Sequence, residues 1–266
     1  MEFTGSSFQK SACHTITSTL IPAMPLATLM VSCVGETTGN SMKNVRLVRH
    51  GESAANAGAA TFDHANIPLT EKGTEHAKRV AKSIDCAPEL IVASPFSRAR
   101  ATADVTISIF PDVPSETWPI EEFTYLAPTR CVNTTLGQRK AWVEQYWADA
   151  EPSCIDGEGA ESFLEFVGRA RSFLDRLATH PAQNILVFSH GQFLNAVAWL
   201  IERKPLQVDA QAMIEWRRYE IDNHVPNGCG YVVTRALGDS SWTVSGSVDI
   251  DGAVKLDNLR ARSPMS

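Results

Sequence analysis

The chain has 266 residues, of which 44% are hydrophobic, and its formal net charge is −6. This length and composition favour a globular protein with a sizeable core and exclude an intrinsically disordered chain. An acidic chain without long blocks of like charge offers no broad basic surface for nucleic acid or for an anionic membrane. We therefore expect neither as a partner, and any site for an anion must be local.

The first 42 residues differ in character from the rest of the chain. They are rich in Ser and Thr, and their apolar run from Leu20 to Val34 is short for a membrane span and is interrupted by Pro22 and Pro25. We expect no membrane span here and interpret residues 1–42 as a disordered extension, with Met42 as an alternative start. A degenerate export signal is the competing interpretation.

Six cysteines are scattered through the sequence and form no Cys-x-x-Cys pair. This spacing is not typical of a zinc site or of a thioredoxin-like motif. In a chain of this length we interpret the cysteines mostly as reduced thiols, and we expect a cytoplasmic protein.

From residue 43 onward, short apolar runs alternate with amphipathic stretches. This alternation is typical of an α/β fold with a mostly parallel sheet. Strands are predicted at 45–48, 89–94 and 184–189, and two more in the C-terminal stretches "CGYVVTRAL" and "WTVSGSVDI". Helices are predicted from the capping residue Thr70 to about Ile84, from Ser162 with its capping partner Glu165, and after Gly191.

Residues 126–159 fit this alternation poorly. Trp142, Tyr146 and Trp147 have a spacing that places them on one face of a helix. We predict a packed helical or loop insertion here, and a lid over an active site is the functional alternative.

Three predicted strands end in polar side chains suited to bind an anion. They carry Arg49, His50 and Gly51, then Ser94 and Arg98, then Ser189, His190 and Gly191. In open α/β sheets ligands bind at the carboxyl ends of the strands, and we expect each His-Gly pair to end a strand and start a helix, whose N-terminus favours anions. Two arginines and two histidines at one rim predict a phosphate site, because guanidinium groups match the geometry of phosphate.

Several ordered motifs carry a resemblance to a known family. "LVRHGES" with Asn56, "IPLTEKG", "ASPFSRARATA", "GEGAESF" and "FSHGQFL" resemble the histidine phosphatase superfamily, in its phosphoglycerate mutase-like group, over residues 43–235. The resemblance implies a three-layer α/β/α domain with a mostly parallel central sheet over residues 43–266.

The resemblance also implies roles for the site residues. His50 would be the nucleophile and become a phosphohistidine, while Arg49, Arg98 and His190 would hold the phosphoryl oxygens. Asn56 and Ser53 would add neutral donors from the helix expected after Gly51. No metal motif occurs, and this mechanism requires neither a metal nor a cofactor.

The leaving alkoxide needs a proton, and two adjacent carboxyl groups in "WPIEEFTYL" are candidates. The family pattern has an apolar residue two positions before the acid and an aromatic residue three positions after it. Ile120 and Tyr125 fit that pattern around Glu122. The sequence alone leaves Glu121 open.

The expected activity is metal-independent hydrolysis of a phosphomonoester, on a phosphorylated small molecule or a phosphoprotein. Ser53 and Ala55 stand where the acid phosphatase branch has Arg and Pro. The stretch "AGAATFDHANIPLT" keeps Asp63 but lacks the F-x-G-W-x-D-like aromatic element that phosphoglycerate mutases usually carry. A phosphoglycerate-type mutase is one alternative, with contacts from the insertion through Arg130, Arg139 or Lys140. A catalytically silent phosphate- or protein-binding module is another. The sequence does not predict the oligomeric state.

Overall fold

A computed structural model describes residues 42–236 and 238–255 of the chain. Apart from Met42, the N-terminal segment interpreted as a disordered extension lies outside the described residues. Within those ranges, no helix is both long and apolar enough to cross a lipid bilayer.

Seven strands form one sheet in the described part of the chain, in the order β3-β2-β4-β1-β5-β6-β7. They are β1 (Met42–Arg49), β2 (Leu90–Ala93), β3 (Ser115–Thr117), β4 (Asn184–Ser189), β5 (Gly230–Ala236), β6 (Thr243–Val248) and β7 (Val254–Lys255). The first four pair in parallel, and the last three join the edge at β1 through antiparallel pairs. The five strands predicted from the sequence are all present.

Seven helices accompany the sheet in the same described ranges. They are α1 (Glu71–Lys82), α2 (Ser97–Ile109), α3 (Pro128–Cys131), α4 (Leu136–Asp149), α5 (Phe163–Thr179), α6 (Gly191–Arg203) and α7 (Ala210–Asp222). The side chains of a strand alternate between its two faces, so the sheet can bury apolar residues on both. Leu90, Val92 and Val187 pack with α5, α6 and α7 on one face. Ile91 and Phe188 pack with α1 and α2 on the other, which confirms the expected three layers.

Two predicted helix starts rest on capping side chains that the structure contains. The Thr70 hydroxyl accepts the Gly73 amide at 3.0 Å at the start of α1. Ser162 and Glu165 form a reciprocal capping box at the start of α5. These local hydrogen bonds satisfy amides that a helix leaves unpaired at its N-terminus.

The helix expected directly after Gly51 is absent. Residues 54–58 form turns, and the first helix begins at Glu71. Gly51 instead packs on the start of α1, where a Cβ atom on it would lie 2.3 Å from the carbonyl oxygen of Gly73. The Glu52 carbonyl accepts the Thr70 amide at 3.0 Å, so the chain crosses α1 rather than coiling.

The segment predicted as an insertion contains α3 and α4. Tyr146 of α4 is 7% exposed, and Trp147 stacks on Trp216 of α7 with ring centroids 5.5 Å apart. Trp142 lies elsewhere, under the guanidinium of Arg130 at 4.5 Å. One side of α4 therefore packs into an aromatic cluster.

Candidate active site

His50 lies at the carboxyl end of β1 and is 2% exposed. Its Nδ1 lies 2.6 Å from the Gly51 carbonyl oxygen, and its Nε2 lies 3.1 Å from Arg98 Nε, which can only donate. Together these contacts place the ring proton on Nδ1 and the lone pair on Nε2. The Gly51 amide donates to the Thr102 hydroxyl at 3.0 Å, which anchors the loop that carries the ring.

Arg98 lies in the first turn of α2 and is 7% exposed. Besides the contact with His50, its Nη1 donates to the His64 carbonyl at 2.8 Å, and its guanidinium lies 5.0 Å from the Phe96 ring centroid. Burial lowers the pKa of Arg98 to about 10, with Arg49 adding to the effect and Glu122 opposing it. The side chain therefore stays charged at neutral pH.

Arg49 ends β1 and points beneath the start of α6. Its Nη1 donates to the Val225 carbonyl at 2.6 Å, while its buried Nε has no partner among the described residues. A Cβ atom on Gly191 would lie 3.5 Å from Arg49 Cδ and Nε, so the Arg49 side chain passes close to the start of α6. Burial lowers the pKa of Arg49, and Glu122 opposes that shift.

His190 caps α6 and is fully buried. Its Nε2 lies 2.8 Å from the Ser94 hydroxyl, which also accepts the Phe96 amide at 3.3 Å. Nε2 is the one acceptor that the described contacts offer the Ser94 hydroxyl, and a hydroxyl that donates there requires the His190 ring proton to lie on Nδ1. That atom is buried without a partner in the described part of the chain, and the ring lies edge-on to His50 with centroids 5.1 Å apart.

Both imidazoles are neutral at physiological pH. Burial lowers the pKa of His50 well below its ordinary value, and the nearby charges of Arg98 and Arg49 lower it further. Burial and Arg98 act on the pKa of His190 in the same direction. An imidazole held neutral keeps the lone pair that a nucleophile needs.

Ser53 and Asn56 lie on the turn after Gly51, at the rim of the site. The Asn56 Oδ1 accepts the Ser53 amide at 3.2 Å, the Ser53 hydroxyl at 3.1 Å and the Asn227 Nδ2 at 3.2 Å. These three contacts fix the orientation of the Asn56 side chain and leave its amide nitrogen as the donor. Asn227 also donates to the His50 carbonyl at 2.9 Å.

The two adjacent glutamates point to different surroundings. The Glu122 Oε1 accepts the Gln192 amide at 3.1 Å and lines the same cleft as Arg98. Glu121 instead pairs with Arg169 at 3.3 Å, away from the cleft lining. Burial raises the pKa of the Glu122 carboxyl, and Arg98 and Arg49 oppose that shift without cancelling it.

A cleft of about 280 Å³ adjoins the buried imidazoles and is lined in part by Arg98 and Glu122. Its polar lining includes Ser53, Asn56, Arg98 and Glu122, and its apolar lining includes Phe96, Tyr125, Leu126, Pro128, Leu136 and Val143. Leu136, Arg139 and Val143 share one face of α4 because residues three and four apart are neighbours on a helix. Arg139 therefore faces the cleft, whereas Arg130 pairs with Asp156 at 2.5 Å and the exposed Lys140 with Glu144 at 3.6 Å.

The structure thus brings together the predicted Arg49, His50, Arg98 and His190, with Glu122, Asn56 and Ser53 at the adjoining cleft. Sequence reasoning missed Asn227, whose amide ties His50 to Asn56. The available signal was positional, because Asn227 lies three residues before β5, the strand that pairs with β1. No group of three or more His, Cys, Asp or Glu side chains suited to a metal ion occurs within residues 42–236 and 238–255.

Comparison with known proteins identifies relatives of this chain. A model of the histidine phosphatase superfamily (branch 1) matches residues 45–225. The chain is 34% identical over 156 residues to the adenosylcobalamin/α-ribazole phosphatase of Salmonella typhimurium, a match that covers 56% of this chain and 74% of that protein. With the protein of the same name from Escherichia coli it shares 30% identity over 183 residues, or 64% of this chain and 83% of the other.

Solved structures show the same fold. A structure from Escherichia coli titled as an α-ribazole-5′-P phosphatase aligns with a TM-score of 0.61 and 25% identity, over 80% of this chain and 99% of that chain. A phosphoglycerate mutase from Bacillus anthracis aligns with a TM-score of 0.57 and 18% identity, over 77% of this chain and 92% of that chain. The expected phosphoglycerate mutase-like architecture is therefore confirmed.

Proposed function

The chain belongs to branch 1 of the histidine phosphatase superfamily and is a phosphatase, and we propose that it hydrolyses a small-molecule phosphomonoester through a phosphohistidine on His50. The observation that carries the proposal is the pair of contacts on the imidazole. The Gly51 carbonyl oxygen lies 2.6 Å from Nδ1, and Arg98 Nε lies 3.1 Å from Nε2. The lone pair of Nε2 therefore faces the charged groups of the site. Nε2 is the nucleophile.

The phosphoryl group is held by the three donors around that atom. Arg49 and Arg98 supply guanidinium N–H groups, and His190 supplies its Nδ1–H, which is buried without a partner in the described residues. Preorganised donors of this kind stabilise the charge that moves during in-line transfer. Arg98 must first move its Nε–H from His50 to a phosphoryl oxygen, because the nucleophile needs its lone pair free.

Glu122 acts as acid and then as base. In the first step the Nε2–P bond forms, the ester P–O bond breaks, and the Glu122 carboxyl gives its proton to the leaving oxygen, which departs as an alcohol. In the second step water attacks phosphorus, the Nε2–P bond breaks, and the water's proton returns to Glu122. The raised pKa of Glu122 favours the protonated carboxyl that the first step needs.

The donor set supports a reaction without a bound cation. Two guanidinium groups and two imidazoles converge on the phosphate position, with one carboxyl at the edge. Because Arg49 and Arg98 already supply positive charge there, a divalent cation at the same position would be repelled electrostatically.

For the substrate we propose α-ribazole 5′-phosphate as the first candidate. The relatives with 34% and 30% identity are named for α-ribazole and adenosylcobalamin. α-Ribazole carries a flat aromatic base, and the cleft leads from the phosphate site along the apolar side chains of Tyr125, Leu126 and Val143. Apolar walls with a few polar anchors are typical of small-molecule sites.

The test compares hydrolysis of α-ribazole 5′-phosphate and p-nitrophenyl phosphate, with chelator present, by wild type, His50→Ala and the control His180→Gln. The His180 ring contacts Glu116, near the opposite end of β4. We expect His50→Ala to lose at least about a thousandfold in kcat, since loss of a catalytic nucleophile typically costs that much or more. His180→Gln should match wild type.

Two further results separate the alternatives. Wild type should form an acid-labile, alkali-stable phosphoenzyme that His50→Ala does not form. Transfer of that phosphoryl group to a second alcohol rather than to water would indicate a mutase. Equal rates for wild type and His50→Ala would refute the proposed nucleophile, and activity on p-nitrophenyl phosphate alone would refute the proposed substrate.

A further inference from the structure

The segment that carries Glu122 has no regular secondary structure. Residues 118–127 connect β3 to α3 and contain no helix or strand. Buried backbone N–H and C=O groups outside such elements need partners from elsewhere in the chain. The buried side chains of Ile120 and Phe123 anchor the segment on either side of the two glutamates.

Arg169 of α5 makes three contacts with this segment from one nitrogen, two of them with backbone carbonyls. Its Nη1 donates to the Glu121 carbonyl at 3.0 Å and to the Pro119 carbonyl at 3.2 Å, and it lies 3.3 Å from the Glu121 carboxylate. The Ile120 carbonyl between them accepts the Ser189 hydroxyl at 2.6 Å. The three carbonyls immediately before Glu122 are therefore all held.

Glu161 holds the other side of Glu122 and also Arg169 itself. Its carboxylate accepts Arg169 Nε at 3.1 Å and Nη2 at 2.6 Å, a two-point contact. It also accepts the Thr124 amide at 3.3 Å, and the Glu161 amide donates to the Thr124 carbonyl at 3.0 Å. One ion pair thus spans the backbone from Pro119 to Thr124.

The guanidinium is held in place by more than its charge partners. It lies 5.6 Å from the Phe166 ring centroid and 5.3 Å from that of Phe193, and the Arg169 side chain is 17% exposed. A planar guanidinium can pack on aromatic rings and bind one carboxylate through two nitrogens at the same time. The ammonium group of lysine cannot do both.

We propose that Arg169 and Glu161 position the catalytic acid: they hold the backbone on both sides of Glu122 and draw Glu121 away from the cleft. The inference rests on the proposed role of Glu122. In the described structure no hydrogen bond joins Arg169 to Glu122, and Arg169 does not line the cleft. Arg169 contacts the segment that carries Glu122 and is therefore a positioning residue, and its charge adds to the burial that lowers the pKa of His190.

This role predicts a loss that depends on the leaving group. An alkoxide needs a proton to depart, whereas p-nitrophenolate departs without one. In kcat/KM, which covers the steps through departure of the leaving group and not the later hydrolysis of the phosphohistidine, Glu122→Gln should therefore lose about 100-fold or more on an alkyl phosphate such as glycerol phosphate and far less on p-nitrophenyl phosphate. Arg169→Met should show the same selectivity, with a loss of about 10- to 100-fold on the alkyl phosphate, because a carboxyl held in the wrong position transfers its proton more slowly.

Arg176→Met is the matched control. Arg176 lies on the same helix, pairs with Glu116 at 2.9 Å and lies 4.0 Å from the Trp118 ring centroid. It is also a cation on an aromatic ring, but no hydrogen bond joins it to residues 119–124 in the described structure. Its rates on both substrates should equal those of wild type. Arg169→Lys and Glu161→Gln, which keep polar side chains in place, should show smaller losses with the same selectivity.

The double variant Glu122→Gln/Arg169→Met decides between positioning and general damage. If Arg169 acts through Glu122, the double variant should equal Glu122→Gln on the alkyl phosphate, because two changes on one path are not additive. A further loss in the double variant, or equal losses on both substrates in Arg169→Met, would overturn the inference.

A poorly folding Arg169→Met protein does not block the test, since Arg169→Lys and Glu161→Gln give the same comparison. The proposed function fails separately: if Glu122→Gln shows no leaving-group selectivity, Glu122 is not the acid. If Glu122→Gln shows selectivity and the Arg169 and Glu161 variants do not, only the positioning role is refuted.

Discussion

Replacing Glu122 by Gln should make the protein more stable as well as less active. The wild-type carboxyl lies in surroundings that raise its pKa through burial. Between the ordinary pKa of a glutamate and this raised value, the folded protein binds a proton that the unfolded chain has released. Stability therefore falls as pH rises through that interval, and it is highest below the ordinary pKa.

The size of the effect follows from the raised pKa and the local contacts. A carboxyl whose pKa is raised by one pH unit on folding costs about 1.4 kcal/mol of unfolding free energy at a pH above the raised value. A domain of this size changes its Tm by about 2–4 °C for each kcal/mol. The Gln oxygen can still accept the Gln192 and Phe123 amides, at 3.1 and 3.3 Å in the wild type, so the substitution removes the titration and keeps the hydrogen bonds.

The assay is thermal unfolding of both proteins from pH 4 to pH 9, with Glu121→Gln as a control. Glu122→Gln should melt at the wild-type temperature at pH 4 and progressively above it as pH rises, by about 3 °C or more for each pH unit that separates the ordinary pKa from the raised one. Glu121→Gln removes a carboxylate that pairs with Arg169 and should melt no higher than wild type. A constant or narrowing gap between Glu122→Gln and wild type would refute a raised pKa at Glu122.

Three other measurements test the site and its supports. The kcat/KM of wild type should fall as pH rises through the raised pKa of Glu122, and this alkaline limb should vanish in Glu122→Gln; persistence of the limb would contradict its assignment. Arg139→Ala should raise KM for α-ribazole 5′-phosphate several-fold while Lys140→Ala, at the exposed neighbouring position, should not; equal KM values in both would show that Arg139 does not touch the substrate. Gly51→Ala should lose about 1–3 kcal/mol of unfolding free energy in denaturant titrations, because its Cβ would lie 2.3 Å from a carbonyl oxygen at the start of α1. Gly168→Ala, where a Cβ meets nothing within 4 Å inside α5, should instead gain up to about 1 kcal/mol, and a Gly51→Ala protein as stable as wild type would contradict the close packing.

The fold was predictable where local signals were strong. Thr70 and Ser162 cap their helices through hydrogen bonds to residues three positions away, so a short window of sequence contained the whole interaction. The apolar runs of β1, β2 and β4 end in polar residues, and the parallel pairing of these strands brings the polar ends to one edge. The grouping of Arg49 with His190 follows from that pairing.

Long-range contacts explain one point that the sequence left open and one that it predicted wrongly. Whether Glu121 or Glu122 faces the cleft depends on Arg169, which lies 48 positions from Glu121. The helix wrongly expected after Gly51 is replaced by a crossing over Gly73, on another element. Neither contact can be predicted from the surrounding residues, because each joins two segments that are distant in the sequence.

The hydrogen bond from Arg98 to His50 also bears on how readily the enzyme releases its product. Any phosphate that enters must take this donor from the imidazole, so the nucleophile competes with both substrate and inorganic phosphate for the same guanidinium. A hydrogen bond to a charged group contributes about 1.5–3 kcal/mol, which corresponds to about a ten- to hundredfold weaker affinity for phosphate. In the resting protein the His50 imidazole thus competes with phosphate for Arg98. This competition weakens the binding of the phosphate product and favours its release.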